Sequence, residues 1–326
     1  MRGTAQAAAL LCLGLSPPGV CAEEWRLASG LEDQEKVYSW ENETFSLGVS
    51  AGWLTGQSHE FAHDSSGNKI SELIWDVSHA FAINADLGIR MLPALKLNAR
   101  GTWGGNIDSQ MDDYDWLGLP YGQTDWTDHS SHDDTKLDRF ARFDINLQYD
   151  FLQQQSLTFS GLAGARFTGV RFKAHGGDFL YTSDPEFEFR DVSGSFADDE
   201  LVITYEQNWA VPYLGLAASL NSGSVRLTGS IIGSPLAYGS SDDDHWLRAV
   251  HFEEDFERTN FVAASAEAAY LFGGHYQVFL NANGERYFRT GADTTMTGSE
   301  GNAELDDHGG ADHENLQISL GFRVTN

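Results

Sequence analysis

The 326-residue chain has only two cysteines, Cys12 and Cys21, and both lie in its first 22 residues. Beyond them there is no thiol for a disulfide, a thiolate nucleophile or a Cys-ligated metal. Cations are scarce: 20 Lys+Arg stand against 48 Asp+Glu, a formal net charge of −28. That balance repels nucleic acid and anionic surfaces and attracts cationic ligands, so cationic partners are expected and nucleic acid is not. The sequence has no Gly-x-Ser-x-Gly nucleophile elbow, no His-Glu-x-x-His zinc motif, no Gly-rich phosphate loop with its Lys and no EF-hand run. No helical pattern of useful length appears either. Disorder is excluded, because aromatics make up 12% of the residues and long segments alternate regularly.

The first residues read as an export signal. Met1-Arg2 is followed by the apolar run Ala5 to Leu15, then Pro17-Pro18 and the small residues around Ala22. The run is shorter than the roughly 20 residues a spanning helix needs, so a secretory leader over 1–22 is expected, cut near Ala22. Residues 23–43 are expected to form an N-terminal extension, and 44–326 the folded body.

What is abundant is period-two alternation. In Phe143-Asp144-Ile145-Asn146-Leu147-Gln148-Tyr149-Asp150-Phe151 every odd residue is apolar and every even one polar. Leu95 to Arg100, Val225 to Thr228 and Leu316 to Val324 repeat the pattern. Such strands have one apolar and one polar face, which suits either a soluble sandwich or a membrane barrel with a polar lumen. Connection lengths favour the barrel. Short links at Met91-Leu92-Pro93, Gln153 to Ser156, Asn221-Ser222-Gly223 and Gly273-Gly274-His275 alternate with longer polar ones. The longer ones are 62–68, 105–135, 176–199, 239–251 and 292–312. Tight turns on one side and long loops on the other predict an all-β, ten-stranded antiparallel transmembrane barrel. Strands of about 20 residues would stand roughly 50 Å tall at ~40° tilt, well above an apolar band of about 25 Å. Trp75, Tyr149, Tyr213, Tyr270 and Tyr276 are candidates for interfacial girdles.

Acids and histidines collect in the long links. Asp112, Asp113 and Asp115 lie in the second, Asp242, Asp243, Asp244 and His245 in the fourth. Three chemistries fit such residues: hydrolysis by activated water, calcium binding, or a solvated acidic rim. In Asp113-x-Asp115 and Asp243-x-His245 an extended backbone would project both members of each pair to one side.

The ordered set of motifs resembles one family. Gly104-Gly105-Asn106, Asp113-Tyr114-Asp115-Trp116, Trp126-Thr127-Asp128, His132-Asp133-Asp134-Thr135, His175-Gly176-Gly177, Val211-Pro212-Tyr213-Leu214-Gly215-Leu216 and Asp243-Asp244-His245-Trp246 follow one another as in the omptins. These are outer-membrane proteases of Gram-negative bacteria. The resemblance implies a barrel whose active site faces outside and cuts peptide bonds at basic, typically dibasic, sites. It implies that His245 acts as general base towards water with Asp243 orienting it, while Asp113 and Asp115 hold the water or the tetrahedral intermediate from the opposite wall. Glu60 matches the family's acid at the base of the pocket for the basic residue before the cut. A second family acid falls at Ser241 in an ungapped match, with Asp242 beside it as the candidate replacement. The family's lipopolysaccharide positions fall at Ala165, Phe167, Gly169, Asn208 and Glu257, none of them basic. No cofactor or metal is therefore expected, with lipopolysaccharide as the one possible activator. The expected partners are cationic peptides or proteins and outer-membrane lipid, and a monomer is favoured. The competing expectation is a catalytically silent barrel of the same lineage acting as an adhesin or binding surface.

Overall fold

The computed structural model describes residues 43–118, 125–184, 188–299 and 301–326. The expected leader and the expected extension, apart from Glu43, lie outside the described residues. Among the described residues there are thirteen strands: β1 (Phe45–His63), β2 (Lys69–Leu92), β3 (Leu95–Asp115), β4 (Asp128–Gln154), β5 (Leu157–His175), β6 (Asp178–Tyr181), β7 (Val192–Ser195), β8 (Leu201–Ser222), β9 (Val225–His245), β10 (Val250–Phe256), β11 (Thr259–Phe272), β12 (Tyr276–Gly298) and β13 (Ala303–Thr325). Ten ring positions result, all paired antiparallel. Strands β10 and β11 are two halves of one position, since each pairs with both β9 and β12. The hairpin β6–β7 leaves the ring between β5 and β8 and leans on β4. Pairing of β1 with β13 from Ser46↔Thr325 to Ala62↔Gly309 closes the ring, so no long edge strand is left unpaired.

Near the short turns the outward residues are apolar and exposed, among them Val49, Ile83, Ile145, Leu216, Ile231 and Ile318. Higher up the outward row turns polar, with Gln57, Asp76, Asp138, Lys173 and Asp242. This change marks where the wall leaves lipid and enters water. The strands do not end there. Most of the stretches expected as loops at 105–135 and 239–251 are strand: β3 runs to Asp115, β4 begins at Asp128, and β9 and β10 are separated only by residues 246–249. A strand in water on its outer face loses the apolar half of its alternation, so these upper segments read as loops. Among the aromatics, Tyr149, Tyr270 and Tyr276 face outwards as expected. Trp75 and Tyr213 do not: both are buried and point inwards, because alternation defines two faces without saying which one is the lumen.

The lumen is filled rather than open. In the membrane-level section Arg166 donates to Asp144 (2.8 Å) and Glu285 (2.7 Å), and Arg142 Nη2 donates to Gln317 (2.7 Å). Nearer the water-exposed end, Trp75 of β2 stacks between Phe172 of β5 (5.2 Å) and Tyr205 of β8 (5.5 Å). Gln207 Nε2 of β8 reaches the backbone carbonyls of His59 (3.4 Å) and Asp312 (3.3 Å) on β1 and β13. Opposing walls therefore touch, and this aromatic layer forms the floor under the outer mouth. A separate cavity of about 990 Å³ lies at the short-turn end, lined by residues such as Arg90, Lys96 and Asp150. It is remote from the acids discussed next.

Candidate active site

Strand periodicity builds the site from two walls. On one wall, Asp113 and Asp115 sit at alternate positions near the end of β3, opposite Leu73 and Ser71 of β2. Glu60 of β1 pairs with that same Leu73. On the other wall, Asp243 and His245 alternate on β9, opposite Tyr205 and Ile203 of β8 and Phe252 and Val250 of β10. Extended backbone thus turns each i, i+2 pair towards the interior, as the spacing led us to expect. His245 Nε2 lies 2.6 Å from Asp243 Oδ2, and the imidazole meets the ring of Phe252 edge-on at 5.6 Å. Asp243 is 1% exposed, so almost no water competes for its carboxylate.

The electrostatics follow from burial and crowding. Burial opposes the charged form of His245, but the adjacent Asp243 carboxylate, then Asp113, outweigh it and raise the imidazole above its ordinary range. Burial and then the neighbouring Asp115 push Asp113 well above the usual carboxylate range, with charged His245 pulling the other way. Asp115 is raised by burial against the opposing hydrogen bond from Ser71. Glu60 is raised well above its usual range by burial, then by the charges of Asp243, Glu254 and Asp113. The two walls thus sense each other: Asp113 favours a charged His245, and a charged His245 favours ionised Asp113 and Asp115. A base facing a pair of carboxyls that cannot both ionise freely can take a proton from water while the pair manages the rest.

Five of the six residues expected from the sequence converge here: Asp113, Asp115, Asp243, His245 and Glu60. The sixth does not. Asp242 alternates to the outer face of β9, exposed, beside Glu253 and Asp244. A residue between two inward neighbours, Ser241 and Asp243, could not do otherwise in an unbroken strand. Asp242, His251 and Glu253 are close enough to share an ion, but this group faces solvent away from the walls just described.

Sequence reading missed three participants. Tyr181 of β6 lies beside the aspartate pair, its hydroxyl pushed up to about 12 by burial and then the Asp113 charge. Arg248, in the 246–249 turn, contributes positive charge near Asp113, Asp115 and His245. Glu254 of β10 is buried and pairs with Ser241. Its signal was present: Val250, Phe252, Glu254 and Phe256 share one face, and an acid in an otherwise apolar inward row is out of place.

The omptin family model matches residues 41–325 of this chain. The plasminogen activator of Yersinia pestis is 28% identical over 286 residues, covering 86% of this chain and 89% of that protein. Outer membrane protease OmpP of Escherichia coli strain K12 is 27% identical over 326 residues, covering 97% of this chain and 98% of that one. The crystal structure of the outer membrane protease OmpT from Escherichia coli superposes with a TM-score of 0.83 at 24% identity, over 90% of this chain and all of the other.

Proposed function

The chain belongs to the omptin family of outer-membrane proteases, and on that premise we propose that it hydrolyses peptide bonds next to basic residues with an activated water and no metal. One observation carries the reading: the Asp243–His245 couple on β9 faces the Asp113/Asp115 pair on β3 inside a closed, outward-opening barrel. His245 is held by Nε2 against Asp243, which leaves its other ring nitrogen to take a proton from water. Asp243 stabilises the imidazolium that results. Asp113 and Asp115 hold the water, and then the tetrahedral intermediate, from the opposite wall. One of them must carry a proton to donate to the developing oxyanion, in keeping with the raised Asp113. The acidic mouth attracts cationic peptides. One chain holds both halves of the site, so a monomer suffices.

The outer wall offers no cation at Ala165, Phe167, Gly169, Asn208 or Glu257. Arg171 and Lys173 continue the same outward row of β5. Lys173 Nζ donates to Asp138 (3.0 Å), and Arg171 lies 3.9 Å from Glu206. Lipopolysaccharide activation is therefore the arm of the test with the least family precedent at residue level.

The test is hydrolysis of a quenched Arg-Arg peptide by purified, folded barrel, with and without lipopolysaccharide and with EDTA. Wild type should cut, and EDTA should not matter. His245→Ala and Asp113→Asn should each lose at least about 100-fold in kcat/KM. Equal cleavage by all three proteins would remove these residues from the mechanism.

A further inference from the structure

Position 241 is where the resemblance places a second acid for the basic substrate side chain, and this chain has serine there. The structure puts a carboxylate directly across the strand pair. Glu254 of β10 is the register partner of Ser241, and Ser241 Oγ donates to Glu254 Oε2 at 2.8 Å. Thr294 of β12 donates to the other oxygen at 3.3 Å. Both oxygens are thus oriented by hydroxyls, with no basic side chain hydrogen-bonded or ion-paired to them among the described residues. Gly309 of β13 leaves room for this carboxyl, since a Cβ there would collide with Oε1.

Glu60 points to what the pocket is for. It is 7% exposed, and its Oε2 is buried with no hydrogen-bond partner. Buried carboxyl oxygens without donors are costly unless a ligand supplies them. Here the missing donors would be N–H groups on a cation.

We propose that Glu254, held by Ser241, is the second acid of the pocket for the basic side chain preceding the scissile bond, and that it works together with Glu60. The acid has changed strands, from β9 to β10, rather than been lost. This rests on the peptidase reading above. The cation it fits best is a guanidinium, whose planar fork can donate to two carboxylates at once, where an ammonium acts as a point charge. Asp242, on the outer face, has no part in it.

The test separates this assignment from the peptidase reading by measuring binding without turnover. In a His245→Ala background, calorimetry compares an arginine peptide with the same peptide carrying citrulline, which has nearly the same shape and no charge. The Glu254-containing protein should prefer arginine by about 10- to 100-fold, the range of a charge-assisted contact. Glu254→Gln should cut that preference by about 10-fold or more. The exchange Ser241→Asp with Glu254→Ser should restore it, and heat-modified gel mobility should show each barrel folded. Failure of Glu254→Gln to change the arginine-to-citrulline ratio, or no rescue by the exchange, overturns the assignment. Absence of Arg-Arg peptide hydrolysis by the barrel with His245 intact, alongside an intact ratio, would instead strike the peptidase reading alone.

Discussion

Replacing Asp243 by Asn probes the centre of the mechanism with the smallest change of shape. The carboxylate lies 2.6 Å from His245 Nε2 and is almost fully excluded from water. An amide of the same size keeps the packing and removes the charge. Hydrogen bonds to charged groups contribute about 1.5–3 kcal/mol, and two unit charges at 4 Å interact by about 4 kcal/mol at an effective dielectric near 20. A loss of about 3–4 kcal/mol in transition-state stabilisation corresponds to roughly 10²- to 10³-fold in kcat/KM. The pH profile adds a sharper demand. His245 is held above its ordinary range against burial by Asp243, then Asp113, while Arg248 from the turn opposes. Without Asp243 the imidazole should titrate lower, and the neutral base should persist further into acid. The acid limb of kcat/KM should shift to lower pH, so the variant's deficit is smallest at acid pH. The change relieves the crowding of Glu60 by Asp243 but also takes the charged partner from His245, so melting is followed beside activity to separate loss of fold from loss of catalysis. The assay is hydrolysis of the Arg-Arg peptide across pH, alongside gel-mobility melting. An unmoved acid limb, or a deficit under about threefold, would refute the assigned role of the couple.

Three further predictions follow from the same geometry. Burial lifts the Glu254 carboxyl from 4.5 to about 7, so the stability due to its neutral form is complete below about pH 4.5 and lost as pH rises through about 7; Glu254→Gln should flatten that part of a melting-temperature profile. Gly309→Ala places a methyl against Glu254 Oε1, so it should lower the arginine-to-citrulline binding ratio while the barrel still closes, as read by calorimetry and gel mobility. Trp75→Ala removes the middle of the three-ring stack and should cost about 3–5 kcal/mol, seen as a lower melting point together with reduced peptide cleavage.

Much of this was legible in the sequence because the barrel's two governing periods are simple. Alternation in Phe143 to Phe151 gave strands, and i, i+2 spacing gave the inward pairs Asp113/Asp115 and Asp243/His245. What failed to show was anything that depends on which face is inside. Trp75 and Tyr213 read equally well as girdle or core, and Asp242 read as a pocket acid because it is adjacent in sequence to Ser241. In a strand, however, the spatial neighbour of Ser241 is its register partner Glu254, thirteen residues away. Tyr181 reached the site through the β6–β7 hairpin, a tertiary detour that no periodicity announces.

Ring closure has a consequence for the cell that makes this protein. The aspartate pair comes from β3 and the histidine couple from β9, and the two walls are held face to face only once β1 has paired with β13. A chain still crossing the periplasm can form neither the cleft nor the dry floor beneath it. On the proposed site, catalytic competence is therefore a property of the inserted barrel rather than of the polypeptide. The step that anchors the enzyme is also its safety catch: it can attack proteins only after its mouth is turned away from the cell that exported it.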